Sequence, residues 1–245
     1  MNRFFYQTTQ REAEIVRLQG DDAHHLRRVL RAAVGEQIEL CDEQGLCHLA
    51  RVTQITKDEV ECALASALPS SEPQTKIELA FGLLKGEKTE LVLQKATELG
   101  VSSLRPFFSE RTVVRADKKQ GARYERWQKI VRAAAAQARR AQIPAVVLPC
   151  QWSSLLTKFV DYDQVILFWE AELEQPLAQA LRHCARGARI LLLTGPEGGF
   201  SEVEVRGATA AGAEIVTLGP RILRAETAAI TAVALTMYQA GEMRR

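Results

Sequence analysis

Leu-Thr-Gly-Pro-Glu-Gly-Gly-Phe-Ser spans residues 193–201, and Leu-Gly-Pro-Arg-Ile-Leu-Arg-Ala-Glu-Thr-Ala spans residues 218–228. Each segment follows an apolar run typical of a strand and precedes a pattern typical of a helix. In an open α/β sheet, loops of this kind gather at the carboxyl ends of the strands, where ligands bind. The two segments therefore predict one small-molecule pocket with two walls.

The chain around these loops alternates between strand and helix patterns from residue 76 onward. Strands are predicted at 77–84, 103–108, 145–148, 165–169, 190–194 and 214–218. Helices are predicted at 87–99, 124–141, 153–160, 176–185, 202–211 and 226–240. Strands that alternate with long helices favour a parallel sheet covered on both faces, so residues 73–245 are interpreted as an α/β domain.

The first 72 residues follow a different pattern. Segments 37–41, 48–55 and 60–64 alternate apolar and polar residues, as half-buried strands do. The segment 69–73 holds two prolines and two serines without an apolar residue, which is typical of a linker. We therefore predict a small β-barrel domain at 1–72 and a second domain at 73–245.

Composition is ordinary for a globular protein, with 47% hydrophobic and 25% charged residues in 245. No apolar run approaches the roughly 20 residues of a membrane span, and the N-terminal segment lacks the pattern of a signal peptide. The five cysteines are an odd number without a Cys-x-x-Cys pair. They predict reduced thiols in a cytoplasmic protein, with neither a disulfide frame nor a metal site.

The net charge of +2 is unevenly distributed along the chain. Residues 1–73 hold 8 Lys/Arg against 12 Asp/Glu, a balance of −4, whereas residues 105–145 hold 11 against 3, a balance of +8. Such a concentration of positive charge attracts polyanions, and nucleic acid first among them. A solvated helix face is the alternative interpretation of the same charges.

The first of the two loops has a backbone suited to close contact with a ligand. Its glycines permit positive φ and close approach, although a tight turn alone would also account for them. Ser201 followed by Glu204 predicts a capping box at the next helix. The loop lacks both Gly-Lys-Ser/Thr and Gly-x-Gly-x-x-Gly, so it is neither a P-loop nor a dinucleotide-binding turn.

The second loop offers apolar and charged groups. Ile222 and Leu223 are apolar where turns are usually polar, and they suit a flat aromatic ligand such as adenine. Arg224 and Glu226 lie at the start of the last predicted helix. A local ion pair between these two side chains is the alternative to a role in catalysis.

These segments together resemble the signature of the RsmE-type 16S rRNA (uracil-N3)-methyltransferases, which belong to the SPOUT class. The resemblance extends over nearly the whole chain, because 22–31, 85–101, 109–112 and 137–144 also match family motifs in the right order. Two positions depart from it: Ala225 stands where the family often has Thr, and Ala133 where it often has Glu.

The resemblance implies a SPOUT-type knotted α/β domain with a mostly parallel sheet, preceded by a PUA-like β-barrel that binds RNA. It implies methyl transfer from S-adenosylmethionine to N3 of one uridine in 16S rRNA, either free or within the 30S subunit. It also implies a homodimer, with the apolar face of 228–237 as the seam, and no membrane partner.

The resemblance assigns site residues in three groups. Glu197 or Glu226 would take the N3 proton, or Arg224 would instead stabilise the uracil anion. The predicted cofactor-binding residues are Phe168, Thr194, Gly195, Gly198, Gly199, Leu218, Gly219, Ile222, Leu223 and Thr227. The predicted RNA-binding residues are Arg3, Arg28, Arg31, Arg111 and Arg140.

Two other functions remain as alternatives. One is a different SPOUT methyltransferase, acting on tRNA or on a ribose 2′-hydroxyl. The other is a non-catalytic RNA-binding protein of ribosome assembly that uses the same basic segment. The glycine-rich and apolar loops argue against this last function, because simple RNA binding does not require them.

Overall fold

The computed structural model describes residues 1–114 and 120–243, which divide into two compact units. Unit 1 comprises Met1–Glu72 and Ala135–Gln142. Unit 2 comprises Pro73–Ala134 and Ile143–Arg245. A short segment from the middle of the chain therefore packs with the N-terminal residues.

Unit 1 is built on a six-stranded, mostly antiparallel sheet with the strand order β1-β4-β5-β6-β3-β2. Only β1 and β4 pair in parallel. The strands are β1 Arg3–Phe5, β2 Arg11–Glu12, β3 Ile15–Gln19, β4 Gln37–Cys41, β5 Cys47–Ile55 and β6 Glu59–Leu68.

Apolar side chains at every second position of these strands form the core of unit 1. Val16 and Leu18 of β3 are fully buried, as are Val60 and Cys62 of the neighbouring β6. Helix α1, Gly20–His24, continues as a π-helical turn over His25–Val29 and adds Leu26 to the same core. The strands predicted at 37–41, 48–55 and 60–64 are thus confirmed as β4, β5 and β6.

One expectation about the cysteines is wrong. Cys41 ends β4 and Cys47 begins β5, and the antiparallel register places these two residues opposite each other, where they form a disulfide. The spacing of the two residues did not reveal this pairing, because the register of the hairpin brings them together. Cys62, Cys150 and Cys184 are free thiols.

Unit 2 is built on a parallel sheet with the strand order β10-β8-β7-β12-β11-β13, and β9 pairs with β8. Every pairing among its described strands is parallel, as the sequence predicts. The strands are β7 Lys76–Gly82, β8 Ser103–Phe108, β9 Ala145–Val146, β10 Cys150–Gln151, β11 Gln164–Phe168, β12 Arg189–Thr194 and β13 Glu214–Val216.

Helices cover both faces of this sheet. On β12, Ile190 and Leu192 pack into the cluster that holds α2 and α7, whereas Leu191 and Leu193 pack into the cluster on the opposite face. The helices are α2 Lys88–Glu98, α3 Gln120–Gln137, α4 Trp152–Leu156, α5 Leu177–Ala180, α6 Glu202–Ala210 and α7 Ala225–Gln239. The predicted helix at 176–185 is only one α-helical turn, continued by a 3₁₀ turn at Leu181–His183.

A buried ion pair inside unit 1 joins Glu72 to Arg140. Glu72 Oε2 accepts a hydrogen bond from Arg140 Nη2 at 2.6 Å, and Glu72 Oε1 accepts one from the Ala141 N–H at 2.8 Å. Burial opposes ionisation of Glu72, but the guanidinium and the backbone donors outweigh it and lower the pKa of this carboxyl. The pair therefore holds the segment 135–142 in its unit.

We expect Glu72→Gln to lower the free energy of unfolding by about 3 kcal/mol at neutral pH, because it removes a buried charge that pairs with the buried Arg140 guanidinium. Urea denaturation followed by circular dichroism measures the change. Because the pKa of Glu72 is lowered in the folded protein, its contribution is present above the ordinary value of 4.5 and is lost as pH falls through the folded value. The free energy of unfolding of Glu72→Gln should therefore fall less than that of the wild type as the pH is lowered.

The matched control is Glu12→Gln in the same unit. Glu12 pairs with Arg17, but the Glu12 side chain is 78% exposed. We therefore expect Glu12→Gln to lower the free energy of unfolding by less than about 1 kcal/mol. If the two variants lost equal free energy of unfolding, the result would contradict the structural importance of the buried Glu72–Arg140 pair.

Candidate ligand-binding and active site

A cleft of about 480 Å³ lies in unit 2, where three strands end side by side. Phe168 at the end of β11 is in register with Thr194 at the end of β12 and with Val216 at the end of β13. The loops that follow these strands line the cleft, together with Lys88. Its volume is typical of a site for a small molecule or cofactor.

The glycine-rich loop owes its shape to two close backbone approaches. Gly199 has a φ of +67°, a conformation that favours glycine, and its N–H donates to the Pro196 carbonyl at 2.9 Å. A Cβ on Gly82, at the end of β7, would lie 2.4 Å from the Pro196 nitrogen. The segment is thus a tight turn as well as a wall of the cleft.

The start of α6 anchors this loop. Ser201 and Glu204 form the predicted capping box, and the second oxygen of Glu204 accepts the Glu110 N–H at 2.9 Å. Arg111 donates to the carbonyl oxygens of Gly198 and Phe200 at 3.0 and 3.3 Å. The segment after β8 therefore holds the glycine-rich loop in place.

Most of the residues predicted to bind a cofactor come together here. Thr227 is exposed on the first turn of α7 and does not line the cleft in the described part of the chain. The nine others line it: Phe168, Thr194, Gly195, Gly198, Gly199, Leu218, Gly219, Ile222 and Leu223.

Thr194 carries a polar atom without a protein partner. The residue is 1% exposed, and its Oγ1 makes no hydrogen bond to any residue that the structure describes. A buried hydroxyl in this state costs free energy unless another group satisfies it. Gly219, which also lines the cleft, has a φ of +99° and open space where a Cβ would lie, while its N–H donates to Thr217 Oγ1 at 3.1 Å. The hydroxyl suits a ligand with polar groups, and the open space at Gly219 suits its close approach.

Three charged side chains from distant parts of the chain meet at the cleft. Lys88 Nζ lies 3.5 Å from Glu197 Oε1 and 3.7 Å from Glu226 Oε2. Burial opposes ionisation of Glu197, but the Lys85 N–H at 3.1 Å and the Lys88 ammonium lower the pKa of this carboxyl overall. Glu226 is buried, and its Oε2 has no hydrogen-bond partner among the described residues.

The cation beside Glu226 is therefore Lys88, and not its near neighbour Arg224. Arg224 is exposed, lines the cleft and forms no ion pair within residues 1–114 and 120–243. Sequence reasoning missed Lys88, because more than a hundred positions separate it from either carboxylate. Its only sequence signal is its place in the 85–101 segment that matches the family.

The five arginines predicted to bind RNA have different environments. Arg28 and Arg31 are exposed and unpaired in the described structure. Arg3 is bound to Glu39 at 2.9 Å, and Arg140 is buried against Glu72, so the structure favours a structural role for both. Arg111 is exposed but also holds the glycine-rich loop, as described above. Three further residues of the basic segment lie outside the described residues: Arg115, Lys118 and Lys119.

Within the same described part of the chain, no helix combines the length and the apolar character that crossing a membrane requires.

Comparison with known proteins places both units in described families. A model of an RNA methyltransferase domain matches residues 70–237, and a model of an RNA methyltransferase PUA domain matches residues 18–64. The first match contains every residue that lines the cleft.

Full-length relatives and solved structures are similar to the chain. It is 34% identical to ribosomal RNA small subunit methyltransferase E of Bacillus subtilis (strain 168), over 98% of this chain and 97% of the relative. The same enzyme from Neisseria gonorrhoeae, in a crystal structure bound to S-adenosyl methionine, has a TM-score of 0.85 at 31% identity, with 97% of each chain covered. A structure from Legionella pneumophila with bound SAM has a TM-score of 0.80 at 31% identity, covering 96% of each chain.

Proposed function

This chain belongs to the RNA methyltransferase family that includes ribosomal RNA small subunit methyltransferase E, and we propose that it methylates N3 of one uridine in 16S rRNA. Its fold combines a PUA-like unit with a parallel α/β unit of the SPOUT type, and its activity is methylation of ribosomal RNA with S-adenosylmethionine. The observation that carries the proposal is the cleft built from the paired loops of the family signature. We infer from ribosomal RNA as substrate that the protein acts in the cytoplasm.

The cleft fits the cofactor on its own evidence. Thr194 offers a buried hydroxyl without a partner among the described residues, and Gly219 leaves open space where a side chain would lie. Leu223 and the 79% exposed Ile222 supply apolar surface for adenine at the rim. When bound, S-adenosylmethionine supplies an electrophilic methyl group on its sulfonium. The protein's remaining tasks are to align the target base and to remove its N3 proton.

Arg224 is the side chain best placed to stabilise the ionised base. It lines the cleft as the N-cap residue of α7, where the helix dipole has its positive end. Charge that develops on a uracil ring in the cleft would meet this cation without a competing ion pair in the described structure. Glu197 is a weak base, because its pKa is lowered, and Glu226 is buried.

We expect one uridine of 16S rRNA to lose its N3-methyl group in a strain that lacks the gene and to regain it on complementation. Mass mapping of the rRNA locates the mark, and purified protein with S-adenosylmethionine should restore it on free 16S rRNA or on 30S subunits. Calorimetry should detect cofactor binding.

The competing functions give different outcomes. Methylation of tRNA, or of a ribose 2′-hydroxyl, would assign the chain to another SPOUT activity. Failure to bind S-adenosylmethionine would instead favour a non-catalytic role in ribosome assembly.

Unit 1 is the proposed RNA-binding unit. Its family match is to a PUA domain of RNA methyltransferases. Arg28, in its π-helical turn, and Arg31, just after it, are exposed and have no partner among the described residues. Arginines of this kind bind phosphates and loops by charge and shape more than by sequence.

Arg28→Ala combined with Arg31→Ala should weaken binding to 16S rRNA and reduce the slope of log affinity against log salt by about 2. Cofactor affinity should not change, because both residues lie in unit 1. Fluorescence anisotropy with labelled RNA and calorimetry measure the two affinities. The control, Arg11→Ala with Arg17→Ala, removes equal charge from guanidiniums already paired with Glu14 and Glu12. Equal loss of RNA affinity in both double variants would refute the assignment.

The proposed oligomer is a homodimer that covers the outer face of α7. Glu226 is the only charged residue in this helix, whose inner face packs on the sheet. Leu235 and Tyr238 on its outer side are nevertheless exposed by 42% and 58%. A helix that is apolar on every side is normally buried, so this face needs a partner.

Sedimentation equilibrium should give the mass of two chains, and Leu235→Glu with Tyr238→Glu should give the mass of one. A wild-type mass of one chain at micromolar concentration would contradict the dimer.

A further inference from the structure

Lys88 is held in the cleft by two carboxylates from separate elements. It begins α2, whereas Glu197 lies in the glycine-rich loop and Glu226 lies in the first turn of α7. Its Nζ is 3.5 Å from one carboxylate and 3.7 Å from the other. Residues from three separate elements thus hold one ammonium group at the cleft.

These ion pairs leave the ammonium free to bind something else. Charge-assisted hydrogen bonds between nitrogen and oxygen are usually about 2.7–2.9 Å long, so both contacts are loose. A lysine has three N–H donors, and no other acceptor for Nζ is found in the described structure. The side chain is also 38% exposed and lines the cleft, unlike a buried structural lysine.

The surrounding charges decide what the ammonium can bind. Glu197 and Glu226 flank it, and the other charged groups that line the cleft are Glu170, Arg221 and Arg224. Loss of the N3 proton spreads negative charge over N3 and over the two carbonyl oxygens beside it. The Lys88 ammonium on one side of the ring and the Arg224 guanidinium on another would stabilise that distribution of charge.

Neither carboxylate is well suited to take the proton directly. The lowered pKa of Glu197 makes it a poor acceptor for the proton of a weak acid. The Oε2 of Glu226 is buried, with the Lys88 ammonium 3.7 Å away, and this residue does not line the cleft in the described structure. Both carboxylates are, however, in contact with Lys88.

We propose that Lys88 donates a hydrogen bond to a carbonyl oxygen of the target uracil and stabilises its N3 anion, while the N3 proton leaves to water. The inference rests on the proposed uracil-N3 activity. The N3–H bond would break with its electron pair left on nitrogen, and the proton would go to solvent. That electron pair would form the new bond to the methyl carbon while the bond from this carbon to the sulfonium sulfur breaks, leaving its pair on sulfur as a neutral thioether. Glu197 and Glu226 are then positioning residues for Lys88.

The test compares methylation rates from about pH 6 to about pH 9 on RNA carrying uridine or 5-fluorouridine at the target, with saturating cofactor. Fluorine makes the N3–H more acidic. For the wild type, the rate should rise with hydroxide concentration up to an inflection, and 5-fluorouridine should move this inflection to lower pH.

Lys88→Met should lower the rate on uridine RNA about 100-fold at neutral pH and raise the inflection by about 1–3 pH units. 5-Fluorouridine should restore most of that loss, because a more acidic base needs less help from the cation. Lys88→Arg should keep the wild-type inflection. The matched control is Lys95→Met, on the same helix, because Lys95 is 39% exposed and paired with Glu98. This control should behave as wild type.

Three results would overturn the inference. Equal loss on both RNAs at every pH, with an unchanged inflection, would make Lys88 a structural residue only. Loss of the pH dependence in Glu197→Gln or Glu226→Gln would identify a carboxylate as the base. A wild-type protein that leaves uridine N3 unmethylated would remove the proposed function as well, which distinguishes that failure from the other two.

Discussion

Parallel pairing of β11 with β12 and β13 is the constraint on which the site depends. Its register aligns Phe168 with Thr194 and with Val216, so three chain segments leave the sheet at the same edge. β11 and β12 are buried on both faces, and a shift of one residue between them would therefore turn apolar side chains to the wrong cluster. The packing of the sheet thus defines the position of the cleft to within one residue.

The arrangement of charged side chains at the cleft depends on the same packing of the sheet and its helices. Lys88 reaches Glu197 and Glu226 only because α2 and α7 cover one face of the sheet together and share its apolar cluster. The cluster formed by these three side chains leaves Arg224 unpaired in the described structure. A cofactor pocket and a cationic surface for an ionised base are in this way parts of one arrangement.

Much of the fold was predictable from local pattern. The strand predicted at 190–194 is β12, and the helix predicted at 202–211 is α6 with its Ser201–Glu204 capping box. Local periodicity is enough to predict a strand or helix where the burial of each residue follows from its position in that element. The prediction was wrong for Cys41 and Cys47, and the burial of Arg140 was not expected, because both outcomes depend on partners that lie elsewhere in space.

The sequence by itself determined the alternation of strands and helices, the two loops of the cleft and the family to which they belong. Glycine backbone requirements and apolar periodicity are local properties, and residue order records them directly. Only the tertiary structure decided which charges meet, which thiols pair and which arginines stay free. Those outcomes depend on strand register and helix packing, which join residues far apart in the chain and leave no fixed spacing between them.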